Sequence, residues 1–149
     1  MTDGSRAGSS WATIRIPEGW DALDVAGADA VIAPLAPAEG FRPNAVLTSV
    51  DSDAPIQEAS VAALVAATAE NPGALVVACD VWPHAVHPGR RILFTYPAEG
   101  GAEVVVQKFV WATGRRHVHL TASCAVYQHL WLDQGFNAVA TSIRFEEGS

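Results

Sequence analysis

His117 and His119 stand two residues apart in a run of β-forming residues, so both imidazoles point to the same side of a strand, where such a pair can share a metal ion. No Asp, Glu or Cys beside them completes a zinc set, and the pair reads first as the half-exposed face of a sheet. If Thr113-Gly114 is a two-residue hairpin turn, Val110 opposes His117, Lys108 opposes His119, Val106 opposes Thr121 and Val104 opposes Ser123. Lys108, His117, His119, Thr121 and Ser123 then make a polar strip able to line a groove. The other face, with Val105, Gln107, Phe109, Val118, Leu120 and Ala122, is core. A cation opposite His119 works against metal binding, so neither a metal nor another cofactor is expected.

His84 and His87 lie in Trp82-Pro83-His84-Ala85-Val86-His87-Pro88-Gly89, where two prolines and a glycine hold the chain irregular. Loops set on a rigid scaffold often carry function, although two solvated surface histidines are the simpler reading. Ser123 or Cys124 with a histidine and Asp80 would supply the residue types of a nucleophilic triad, which is defined by geometry and not by order in the chain. Cys124, however, follows Val118, Leu120 and Ala122 on the inward face, where an uncharged thiol is inert. His-Glu-x-x-His, a Gly-rich phosphate loop and Gly-x-Ser-x-Gly are all missing from the sequence. A non-catalytic protein is therefore expected. Tryptophans at 11, 20, 82, 111 and 131 suggest an apolar binding surface, because exposed aromatic side chains anchor interfaces; Trp82 and Trp111 are its candidates.

The elements that must position these groups follow from periodicity. Trp11 to Ile16 alternates and stops at Pro17-Glu18-Gly19-Trp20, with Trp20 returning toward the core; Ala30 to Leu35 and Asn44 to Val50 are further strands. Pro55 suits the first turn of a helix that Asn71-Pro72-Gly73 ends, and Val61, Leu64, Val65 and Thr68 fall at the spacing of one buried stripe. Ala74 to Val81, Arg90 to Tyr96, Glu103 to Ala112 and Arg116 to Cys124 are strands joined too closely to be parallel. Leu132, Phe136 and Val139 mark a last helix with Asp133 as a cap near its start, and Ser142 to Phe145 closes as a short strand. The fold class is α+β: an antiparallel sheet of six or seven strands packed with two main helices. One domain covers residues 11–145, between a flexible tail over 1–10 and a short tail over 146–149.

Composition agrees with one packed domain. Of 149 residues, half are apolar and 17% charged, too much apolar surface for a disordered chain. The formal charge of -7 comes without a basic stripe beyond Arg90-Arg91 and Arg115-Arg116, which argues against nucleic acid as a partner. The first ten residues lack the basic start and apolar run of a secretory signal, and no segment is long and apolar enough to span a membrane, so a cytoplasmic protein is expected. In that compartment Cys79 and Cys124 read as small buried hydrophobes rather than a disulfide.

Three segments carry a resemblance: Ile14-Arg15-Ile16-Pro17-Glu18-Gly19-Trp20, Gly40-Phe41-Arg42-Pro43-Asn44-Ala45-Val46, and Phe136-Asn137-Ala138-Val139-Ala140-Thr141-Ser142-Ile143. In type and order they resemble the PsbP-like superfamily, especially its actinobacterial LpqN-type and bacterial DcrB-type members. The resemblance implies an antiparallel sheet between helical layers and a largely non-catalytic role, as an accessory subunit, transport factor, envelope lipoprotein or chaperone for secreted effectors. It assigns no catalytic residue here. LpqN-type proteins carry a signal and a lipid-attachment cysteine, whereas the first cysteine here is Cys79, so a cytoplasmic adaptor is the expected form.

The leading expectation is a binding or adaptor protein that holds an apolar segment of another protein on one sheet face, with the 82–89 loop, its sharpest form being a chaperone for a secreted effector. The alternative is a small-molecule or lipid binder, or a hydrolase of unrecognised type, with a pocket bordered by His117, His119, Thr121 and Ser123. Self-association that covers the apolar surface is the third.

Overall fold

Runs of β-branched and aromatic residues separated by three- to six-residue connections dominate the second half of the chain. The computed structural model, which describes residues 4–37 and 40–146, folds them as a continuous antiparallel meander. In chain order the elements are β1 (Arg6–Gly8), β2 (Ala12–Arg15), β3 (Trp20–Leu23), β4 (Ala30–Pro34), β5 (Asn44–Asp51), α1 (Ile56–Glu70), β6 (Leu75–Trp82), β7 (Gly89–Pro97), β8 (Glu103–Ala112), β9 (Arg116–Ala125), α2 (His129–Thr141) and β10 (Arg144–Phe145). The fold is thus α+β. A seven-stranded sheet in the order β3-β4-β5-β9-β8-β7-β6 is joined by a three-stranded sheet in the order β1-β2-β10.

Each face of the large sheet has its own core. On one side Ile92, Phe94, Val104, Val106, Val110 and Ala112 pack under α1. On the other, Phe109, Trp111, Val118, Leu120, Ala122 and Cys124 are covered by α2 and by Ala12 and Ile14 of the small sheet. The alternation of side chains along β8 and β9 therefore feeds two layers, with helices on both faces.

Helix α1 buries a different stripe from the one its larger side chains suggest. Ile56, Ala59, Ser60, Ala63 and Ala67 face the sheet, whereas Val61 and Val65 are 61% and 60% exposed and Thr68 is exposed; only Leu64 of the expected stripe is half-buried. Alanines at i, i+4 and i+8 let the helix axis approach the sheet closely, and larger residues there would hold it away. Pro55 stands just before the helix rather than inside its first turn, and its carbonyl accepts the Glu58 and Ala59 N–H groups at 3.0 and 3.1 Å.

Two further expectations need correction. The first ten residues are not all tail: Arg6–Gly8 pairs with β2, Arg6 opposite Arg15 and Gly8 opposite Thr13, while residues 1–3 and 147–149 lie outside the described residues. Gly8 allows this pairing because a Cβ there would collide with the Ala12 carbonyl. Cys79 is exposed on the edge strand, with Sγ 3.7 Å from Ser60 Oγ, while Cys124 is buried. Both thiols are free. Strands β7 and β8 separate them, a spacing far beyond the roughly 7 Å Cα limit of a disulfide.

The orientation of α1 gives the first prediction. Val61→Lys and Val65→Lys should each change unfolding free energy by no more than about 0.5 kcal/mol, as exposed substitutions do, whereas Ala63→Leu should cost about 1 to 3 kcal/mol by overpacking. Urea denaturation of the three variants checks this, and the reverse ranking would mean that α1 is rotated.

Candidate functional site

The hairpin between β8 and β9 sets which polar groups meet. Its register is Ala112 opposite His117, Val110 opposite His119, Lys108 opposite Thr121 and Val106 opposite Ser123, two residues from the expected pairing. The turn lies one residue further along, at Gly114-Arg115. Thr113 N–H donates to Arg116 O at 2.9 Å, and its hydroxyl accepts the Arg115 and Arg116 N–H groups at 3.3 and 3.0 Å. Gly114, at φ +90°, supplies the left-handed residue that a tight hairpin requires. A two-residue change keeps side-chain parity, so Lys108, His117, His119, Thr121 and Ser123 still share a face. That face is the one packed under α1.

The strip divides once α1 is in place. His117 is buried at the N-terminal end of the helix, its Nε2 2.9 Å from Ala54 O, and so it fastens the loop that enters α1. His119 comes next, half-buried, and its Nδ1 has no partner among the described residues. Burial first, and then the charges of Lys108 and His117, pull its pKa down to about 4. Lys108 is also pulled down by burial, with Glu70 partly opposing the shift. At the far end Lys108, Thr121 and Ser123 line a concavity of about 230 Å³ that Glu70 and Asn71 of α1 and Phe94 and Tyr96 of β7 complete. The structure thus brings Lys108, Thr121 and Ser123 together around one concavity, and places neither histidine in its lining.

The 82–89 loop has a structural task. His84 Nδ1 accepts the N–H groups of Val86 and His87 at 3.1 and 3.2 Å, and the two imidazoles stack with centroids 6.2 Å apart. Both meet the Phe145 ring edge-on, at 5.0 and 4.9 Å, and so dock the loop on β10. Burial, then the charge of His84, lowers the His87 pKa. Trp82 packs at 4.9 Å from Phe109, and Trp111 is fully buried between Phe109 and Phe145, so Trp111 offers no surface to a partner. Gly89 makes room for it, because a Cβ there would stand 2.9 Å from the Trp111 ring. Trp131, at 65%, is the tryptophan that is openly exposed, next to the exposed Leu130.

The residue types of a triad do not converge. Ser123 lies on the α1 face, Cys124 is fully buried on the other with its thiol pushed up to about 11 by burial and by Asp133, and Asp80 lies 3.6 Å from Arg91. A buried polar group sits in this second layer instead. Gln107 accepts from Arg91 Nε at 2.9 Å and donates to Asp133 at 2.8 Å. Asp133 is therefore no helix cap, since α2 begins at His129 and Asp133 turns inward to the sheet. Gln107, on the core side of an apolar strand, was the one available signal for this contact.

The sequence also misses the exposed edge. Strand β6, at the end of the sheet, presents Leu75, Val76, Val77 and Val81 to solvent, with Leu75 68% and Val81 67% exposed. Val77 is bulged out of the pairing with β7. Val61 and Val65 of α1 are exposed as well, on the side of the helix turned away from the sheet. The charge of Asp80 on this strand is offset by Arg91.

The low pKa of His119 has a measurable consequence. Above about pH 6.5 the imidazole is neutral in both folded and unfolded chains. Below it, the unfolded chain takes up a proton that the folded one resists, so stability falls as pH drops from about 6.5 toward about 4. A proton-detected histidine titration should place His119 near 4, and a midpoint near the ordinary value of about 6.5 would contradict this burial.

No protein-family model and no curated protein sequence matches the chain. Solved structures do. LpqN of Mycobacterium tuberculosis, described as involved in cell envelope biogenesis, aligns with a TM-score of 0.72 at 16% identity over 97% of this chain and 86% of its own. The cyanobacterial PsbP protein of Synechocystis aligns with a TM-score of 0.68 at 14% identity, covering 95% and 92%. Protein PA94 of Pseudomonas aeruginosa, described as a putative regulator, gives 0.66 at 13% identity over 87% and 88%. Likeness at this identity speaks for architecture alone, and on that footing the chain has the PsbP-like fold.

Proposed function

We propose that this protein is a non-catalytic binding protein that holds an extended apolar segment of a partner protein along the edge strand β6. The observation that carries the reading is the character of that strand: a long edge with four exposed aliphatic side chains and a free row of backbone donors and acceptors. Solvent-facing edges are ordinarily short, charged or covered, because an open one templates pairing with another chain. Strand β3, at the opposite edge, has four residues and carries Asp21. An added strand on β6 would gain main-chain hydrogen bonds, with Leu75 on one face and Val76 and Val81 on the other supplying apolar contact.

The sheet face first expected to hold the partner is covered by α1, so the edge takes its place. Trp82 borders this strand at its end, while Lys108, His117 and His119 lie inward of it. A cytoplasmic chaperone for a secreted effector remains the sharpest form of the reading, since such a client presents apolar segments that need cover.

The test is recovery of tagged protein from its native cells beside the Val77→Lys and Val81→Lys variants. One stoichiometric protein partner should be retained by the natural sequence and reduced at least about tenfold by either lysine, with unchanged circular dichroism. Natural protein recovered alone as a monomer would overturn the reading. A homodimer that the same lysines dissolve would assign the edge to a second copy instead.

A further inference from the structure

The concavity between α1 and the β7-β8-β9 face contains polar side chains that no hydrogen bond of the fold uses. Lys108 and Thr121 are directly opposite in the hairpin, and Ser123 follows two residues later on the same face, so the three side chains lie within roughly 5 to 8 Å of one another. Among the described residues none of Lys108, Thr121, Ser123 or Glu70 makes a side-chain hydrogen bond or an ion pair shorter than 4 Å. The contrast with the rest of the same strip is clear: His117 is tied to Ala54 O, and Asn71 at the rim donates to Ala67 O at 3.0 Å. The half-buried Lys108 ammonium, coupled to Glu70 only through space, and the two hydroxyls therefore keep their donors and acceptors free for a molecule that enters the concavity.

The two ends of the concavity differ in sign. Lys108 with the two hydroxyls makes a site that donates to a carboxylate. Across from it lies the C-terminal turn of α1, where helix carbonyls carry partial negative charge, Glu70 adds a full one, and no Lys, Arg or His of that turn offsets either. That end suits an ammonium. Phe94 and Val106 of the sheet and Ala67 of α1 supply its apolar lining. At about 230 Å³ the space is below the roughly 300 Å³ where drug-sized pockets begin, so the occupant has only a handful of heavy atoms.

We propose that this concavity is a binding site for a small zwitterion of amino-acid type, its carboxylate held by Lys108, Thr121 and Ser123 and its ammonium by Glu70 and the end of α1. A simple carboxylate would satisfy Lys108 but face Glu70 unpaired, and a simple amine would do the opposite; only a molecule with both charges matches both ends. The site is separate from the β6 edge, so either proposal can fail without the other.

Saturation-transfer NMR and calorimetry on the full chain test it, with glycine, L-alanine, L-serine and L-valine as probes and L-lactate and ethylamine as single-charge controls, each at up to about 10 mM, a range that detects ligands of millimolar Kd. At least one amino acid should bind, at least about tenfold more tightly than lactate or ethylamine, and Lys108→Met and Glu70→Gln should each weaken it about tenfold or more. Amide shifts in the natural sequence should move at Lys108, Thr121 and Ser123, a readout that stands even where a variant folds poorly. No binding by any of the four probes, lactate bound as tightly as alanine, or shifts confined to other residues would each overturn the proposal.

Discussion

Seven strands at about 4.8 Å spacing make a sheet nearly three times wider than a helix of about 10 Å, so one helix covers only two or three strands of a face. That mismatch governs this molecule. On one face α2 and the small sheet share the work, and Phe109, Trp111, Val118 and Leu120 are fully buried. On the other face α1 works with the single segment around Phe41, and it lies mainly over β7 and β8. Both margins of α1 are left open as a result. Toward the edge lies β6 with its exposed valines, and toward β9 lies the concavity beside Lys108. The two proposed sites are consequences of one geometric shortfall.

The better-covered face is held by polar as well as apolar contact. Gln107 is the buried polar side chain of β8 on that side, 1% exposed, and it links Arg91 of β7 to Asp133 of α2. A buried amide costs free energy unless both its donor and acceptor are met, and here each is met by a charged group. The link specifies where α2 crosses the sheet, since a shift of one helical turn would leave the Gln107 amide N–H without its acceptor on Asp133. The aromatic chain from Trp82 through Phe109 and Trp111 to Phe145 acts similarly at the other end, where it fixes β10 and the histidine loop.

How much of this was legible depended on the range of the signal. The four long strands and their antiparallel order followed from period-two alternation and short turns, which are local. The short strands β1 and β3 did not, because Arg6-Ala7-Gly8 and Trp20-Asp21-Ala22-Leu23 have no apolar alternation and are held by their partners. The hairpin faces were legible and its pairing was not: Thr113 caps the turn from its flank, and moving the turn by one residue changes every partner yet no face. The sequence marks the span of α1 but not the face it buries, because hydrophobicity ranks valine above alanine while close packing against a sheet ranks them the other way.

The same distinction explains why candidate residues were found and their roles were not. The polar strip came from parity alone, and parity survives an error in register. Which members of the strip are consumed by the fold depends on where α1 stops. His117 falls under its entry loop and is bonded; Lys108 and Thr121 fall beside its last turn and are not. Trp111 illustrates the opposite case, where a residue type suited to binding is spent on the core because Gly89 lets its ring close against the sheet. A functional reading of such a sheet protein must therefore begin from the width its helices leave uncovered, since a side chain of the right chemistry is free to bind only where that cover ends.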